Sequence, residues 1–131
     1  MTVFGFERRE RVMAFGLLAG AILTIIGIRF LIWPDDATFT FGLEAGEKNL
    51  GLLYVIGLRD VWLGVLAIIF ALWRAITPLS WWFLLGAVVC FSDALVVNAF
   101  SGPLAAIVFH VLSGFFCSAV GLAARAEGKA V

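Results

Sequence analysis

Four runs of about 20 or more mostly apolar residues, each long enough to cross a bilayer as a helix, occupy most of this chain. They cover residues 12–33, 52–73, 81–100 and 104–124. Hydrocarbon offers the backbone no hydrogen-bonding partners, so only helices and closed barrels span it, and runs of this length fit helices. Of the 131 residues, 63% are hydrophobic and 14% charged, against the roughly one quarter charged in ordinary soluble domains. Almost nothing is left over for a soluble unit. The expected architecture is all-α: an integral membrane four-helix bundle, one membrane domain over residues 1–131, with one long outer loop at 34–51.

The ends of the runs carry the chemistry of a membrane boundary. Pro34 follows Trp33 at the first exit, and Trp73, Trp81 and Trp82 flank a short turn at 74–80 that contains Pro78. Tryptophan favours the headgroup level, so these rings are expected as interface anchors. Ser101-Gly102-Pro103 makes the last turn, with Pro103 placed to start the fourth helix. Arg8, Arg9 and Arg11 precede the first run, Arg74 lies in the second connection, and Arg125 and Lys129 follow the fourth run. The first connection has Lys48 against Asp35, Asp36, Glu44 and Glu47, and the third has no charge. The positive-inside bias therefore puts both termini in the cytoplasm. Arg8 and Arg9 before an apolar run resemble a secretory signal, but the run exceeds the usual 7–15 residues, so an uncleaved first helix is expected. A net charge of zero implies no nucleic-acid partner and no strong pull toward anionic lipid, while the apolar runs make the lipid bilayer itself the expected partner.

Membrane helices pack through small residues, because lipid is as apolar as leucine. Small and polar residues at spacings of three or four mark one side of each helix. Those sides are Gly16, Gly20, Thr24 and Gly27 in the first run, and Gly57, Asp60 and Gly64 in the second. In the third they are Gly86, Cys90 and Asp93, and in the fourth His110, Gly114, Cys117 and Gly121. Gly16 and Gly20 suit either a self-dimer face or a contact within the chain. The two cysteines form no Cys-x-x-Cys motif and lie at different depths, so they are expected to be small, free core thiols rather than a relay.

Asp60, Asp93 and His110 share a face with the close-packing glycines and lie at matching depth, roughly 9–12 Å below the outer boundary at 1.5 Å rise per residue. An ionisable residue inside a span is by default a functional hypothesis. Arg59 and Asp60 point about 100° apart around their helix, so they are not expected to share one partner; one reaches Asp93 while the other turns to the first or fourth helix. Arg29, opposite the glycine stripe and near Trp33, either joins this cluster or snorkels to the interface. The 34–51 connection, with Phe39, Phe41 and glycines at 42, 46 and 51, is either a lid over the cluster or an acidic loop on the headgroups.

Two readings of the cluster stand. In one, Arg59, Asp60, Asp93 and His110, with Arg29, grip the polar end of a small lipophilic or quinone-like molecule in an apolar pocket between helices. A catalytic form of this reading has a carboxylate beside His110 moving protons to and from such a substrate. In the other, the same residues are an inter-helix network in a non-catalytic accessory or structural subunit, either a homo-oligomer or part of a larger membrane complex. No metal or cofactor is expected. One histidine and two carboxylates beside arginines make a poor cation site, a two-histidine haem lacks its second histidine, and no internal repeat suggests alternating access.

Several phrases resemble a known group. Arg29-Phe30-Leu31 with Pro34, Phe41-Gly42-Leu43, Gly57-Leu58-Arg59-Asp60 with Leu63-Gly64, Trp73-Arg74, Asp93 and His110 look like small bacterial and fungal four-span proteins without assigned activity, similar to the DoxX/DoxD-like group. The resemblance implies a four-helix membrane fold, and the expected location is a bacterial inner (plasma) membrane. Within the wider group, some members look like quinone-linked subunits of sulfur-oxidising systems. It carries no catalytic residues over to this chain.

Overall fold

The computed structural model describes residues 3–43 and 49–128. Glu44, Gly46, Glu47, Lys48 and Lys129, which entered the reading of the loop and of the charges, lie outside the described residues. Five helices follow one another: α1 (Val3–Ile32), α2 (Pro34–Phe41), α3 (Leu50–Leu72), α4 (Ile76–Ala99) and α5 (Leu104–Gly128). Four contain stretches long and apolar enough to cross a membrane: Glu7–Ile32, Leu50–Leu72, Ile76–Ala99 and Leu104–Gly128. Their outer faces expose a continuous apolar surface that includes Leu18, Ile25, Leu58, Leu85, Leu112 and Leu122, far more than a soluble monomer tolerates.

Two expectations need correction. The connection after α1, expected as one outer loop over 34–51, begins with a helix, α2. Pro34 occupies its first turn, where the missing N–H costs nothing, and Asp35 and Asp36 complement the positive end of its dipole. Gly42 closes it in the left-handed region at φ 101°, its N–H bonding the Thr38 and Phe39 carbonyls. The fourth element also starts earlier than expected, at Ile76 instead of residue 81. Pro78 falls in its first turn, where proline is tolerated. Trp82 is consequently a packing residue and not a free interface anchor: half-buried, it donates Nε1–H to the Leu63 carbonyl at 3.1 Å.

The helices are organised as two tight antiparallel pairs, α1 with α3 and α4 with α5. In the first pair the backbones almost touch. A Cβ added to Gly20 would sit 2.6 Å from the Gly64 carbonyl oxygen, and one added to Gly27 would sit 2.6 Å from that of Gly57. Gly16 packs on Ala71 and Leu79, so the Gly16-x-x-x-Gly20 face is taken up inside the chain. In the second pair Gly114 lies under the Phe91 ring and Gly121 under Leu84, while the Ser80 hydroxyl donates to the Gly121 carbonyl at 3.0 Å. Without a hydrophobic force between helices in lipid, close dispersion contact is what holds such pairs.

One end of the bundle carries the start of α1, the 73–75 turn and the close of α5; this is the terminal end. The other carries α2 and the 100–103 turn. At the terminal end the two pairs are welded together by Val12, Met13, Ala71, Leu79, Phe83, Ala87, Val120 and Ala124, with Leu79 and Phe83 wholly buried. Ion pairs Arg8–Glu127 (3.3 Å) and Glu10–Arg74 close this end. The hydrogen bond to Glu10 holds the Arg74 guanidinium above its ordinary range.

Candidate functional site

Toward the α2 end, the joint between the helix pairs changes character from apolar to ionisable. Asp60 comes from α3, Asp93 from α4 and His110 from α5. Asp60 and His110 are buried, at 6% and 7% exposure, although both lie in apolar spans. The stripe pattern explains why. Asp60 sits between Gly57 and Gly64 on the face that close packing turns inward, and His110 leads the Gly114–Cys117–Gly121 face in the same way.

Arg59 and Asp60 pair with each other. Arg59 Nε and Nη2 both lie 2.9 Å from one Asp60 oxygen. The 100° between their Cα–Cβ directions does not prevent this, because the long arginine stem curls back across one helix face. The Arg59 side chain stays 49% exposed, with guanidinium N–H groups to spare.

His110 is fixed by α2. Its Nε2 lies 3.1 Å from the Phe41 carbonyl oxygen, one of the end carbonyls that a helix leaves without an internal partner. A carbonyl only accepts, so Nε2 carries the proton, and in the neutral ring Nδ1 is left as an acceptor. The Phe41 ring packs on the imidazole at 4.6 Å between centroids, and the Phe109 ring approaches at 5.7 Å.

Asp93 is the member without a hydrogen bond or ion pair among the described residues. It is partly buried, and His110, Arg59 and Asp60 are the charged or ionisable neighbours that act on its carboxylate. The structure thus brings together four of the five candidates. Arg29 stands apart from them: it forms an ion pair with Asp36 and donates to Thr40 Oγ1 at 3.0 Å. It braces α2 from the α1 side while His110 holds the last residue of α2 from the α5 side. Neither α2 nor the Phe41 carbonyl was anticipated, although Pro-Asp-Asp followed by Gly42 is a helix start and stop signal.

Among the described residues no three His, Cys, Asp or Glu side chains converge as metal ligands. At the terminal end, Thr77, Ser80, Trp81, Arg125 and Gly128 line a separate open cleft of about 150 Å³. There the Arg125 guanidinium lies 4.6 Å from the Trp81 ring centre. The polar cluster instead offers one guanidinium, one imidazole and two carboxylates in an apolar setting. That set can donate to and accept from a small polar head, and can hold or pass a proton.

Four long apolar helices around a buried polar cluster define a multi-pass helical membrane protein. The chain belongs to the DUF4267 family, a domain of unknown function whose model matches residues 20–124. That match takes in all four cluster residues, Arg29 and α2. No curated protein and no solved structure matches the chain.

Proposed function

We propose that this protein binds a small lipophilic, quinone-like molecule, whose polar end is held at Arg59, Asp60, Asp93 and His110 in the outer half of a bacterial inner membrane. The observation that carries this reading is Asp93: an ionisable group at the joint between the helix pairs, with its carboxylate still to be satisfied. An ionisable carboxylate in a membrane span, with no hydrogen bond or ion pair among the described residues, costs free energy, and a ligand with a polar head relieves that cost. Arg59 supports the reading through its spare N–H donors and half-exposed position, which faces the bilayer from which a lipophilic molecule arrives. Arg29 acts at one remove, by holding α2 over the site. The resemblance to the DoxX/DoxD-like group, with its quinone-linked members, points the same way.

The competing reading, an accessory subunit in which the cluster is a structural network, draws on the Arg59–Asp60 and His110–Phe41 pairings, both complete within the chain. Native mass spectrometry of protein gently extracted from its own membranes separates the two. A reproducible extra mass that Asp93→Asn loses, with the fold intact, supports the ligand site. A bare chain sinks it, and a larger assembly that survives in the variant favours the subunit.

A further inference from the structure

The open cleft at the terminal end lies at the opposite mouth of the α4–α5 pair from the ionisable cluster, and ligand binding at that cluster makes no use of it. Thr77 is the second residue of α4 and Gly128 the last of α5, so the cleft sits where two of the candidate spans end. That is the headgroup level, where tryptophan rings collect and where phospholipid phosphates lie.

The walls of the cleft suit an oxyanion. Its lining residues are Thr77, Ser80, Trp81, Arg125 and Gly128, with one cation and no carboxylate among them. The Arg125 guanidinium lies over the Trp81 ring, 4.6 Å from its centre, a placement that steadies the cation and leaves its N–H edge free. Arg8, Arg29, Arg59 and Arg74 are each paired with a carboxylate. Arg125 forms no hydrogen bond or ion pair among the described residues. The Ser80 hydroxyl already donates to the Gly121 carbonyl, so the hydroxyl with a proton to offer is that of Thr77. No side chain caps α4, and the Thr77 N–H in its first turn also lacks an intrahelical partner. A Cβ added to Gly128 would lie 3.3 Å from Thr77 Oγ1, so glycine at this position keeps the mouth open.

Below the polar mouth the surface turns apolar. Leu85 follows Trp81 by one turn on α4, and Leu122 precedes Arg125 by one turn on α5; both are exposed. A phosphate with an acyl chain beneath it meets surfaces of matching polarity in the same order.

We propose that this cleft binds the phosphate of a phospholipid headgroup, with Arg125 and Thr77 donating to its oxygens and the acyl chains lying along Leu85 and Leu122. A guanidinium meets a phosphate with two parallel N–H bonds, which gives the contact geometry as well as charge. With a net charge of zero there is no long-range pull on anionic lipid, so the attraction is local to the cleft.

The test uses the full chain in detergent, read by native mass spectrometry. Dioleoyl phosphatidylglycerol, dioleoylglycerol (the same chains without phosphate) and inorganic phosphate are added separately. The wild type should hold one phosphatidylglycerol and should bind dioleoylglycerol about tenfold more weakly or worse. Arg125→Gln, with helix content matched by circular dichroism, should lose about tenfold in phosphatidylglycerol affinity. Gly128→Val, which crowds the mouth and leaves Arg125 in place, should also weaken it. Arg11→Gln, at an exposed arginine outside the cleft, should bind as the wild type does. Equal phosphatidylglycerol affinity in wild type and Arg125→Gln overturns the proposal, and so does equal binding of dioleoylglycerol. An equal loss in Arg11→Gln reduces the contact to general basic charge and overturns the site. Inorganic phosphate held through Arg125, without retention of the lipid, overturns the lipid source and assigns the cleft to a soluble phosphate.

Discussion

His110 on α5 donates its Nε2 proton to the carbonyl of Phe41, the last residue of α2. One hydrogen bond therefore ties a helix that belongs by sequence to the first pair onto the second. Removing it by His110→Ala should cost about 1 kcal/mol of stability and should loosen α2 selectively. Hydrogen exchange should show faster amides over residues 37–42 and unchanged protection in α3. Uniform loosening of all helices would mean that His110 supports the whole bundle and not the α2 contact.

Gly20 and Gly86 offer a controlled comparison of helix packing. Gly20→Ala puts a methyl against the Gly64 backbone, which cannot move aside, and should destabilise the α1–α3 pair by about 1–3 kcal/mol. Gly86→Ala meets nothing nearer than Cys117 Sγ at 3.9 Å and should be neutral within about 0.5 kcal/mol. Thermal unfolding in one detergent, with both variants side by side, reads the difference. Equal losses would contradict the close α1–α3 approach.

For Arg59 and Asp60 the two single changes should be unequal. Arg59→Gln leaves a buried carboxylate without its counter-charge and should cost about 3 kcal/mol or more. Asp60→Asn keeps the shape and removes the charge, so it should cost less. The double variant should recover most of the Arg59→Gln loss, and a double-mutant cycle measures the coupling. Additive losses would show that the pair contributes nothing as a pair.

Phe83 and Phe39 test which end holds the helix pairs together. Phe83 is wholly buried and Phe39 is 80% exposed. Phe83→Ala should cost about 3–5 kcal/mol, whereas Phe39→Ala should have almost no effect on unfolding of the isolated protein. A comparable loss in both would place stabilising contacts at Phe39 that the fold does not account for.

The four spans were legible because apolar length is a direct demand of the bilayer, and the inner faces because glycine and polar spacing reports helix packing. The sequence reading of α4 began late because residues 74–80, with Pro78 between flanking tryptophans, were read as a turn, although a proline in the first helical turn has no N–H bond to lose. It also missed α2, since Phe39 and Phe41 beside four acids look like a loop until Pro34 and Gly42 are recognised as its ends. The Arg59–Asp60 contact was hidden by reasoning from Cβ direction alone, which ignores the reach of a flexible side chain. The His110–Phe41 bond depends on how α2 docks against a helix almost 70 positions further along, and no local pattern encodes that.

The Arg59–Asp60 contact also bears on how the chain is made. An aspartate at the centre of a spanning helix costs about 2.5–3.5 kcal/mol when that helix partitions into lipid. Its counter-ion is the adjacent residue, so α3 can enter the bilayer with the charge already compensated, before α4 and α5 have been synthesised. Asp93, which has no such neighbour, needs groups from other helices, so α4 is the segment whose insertion depends on what is already in the membrane.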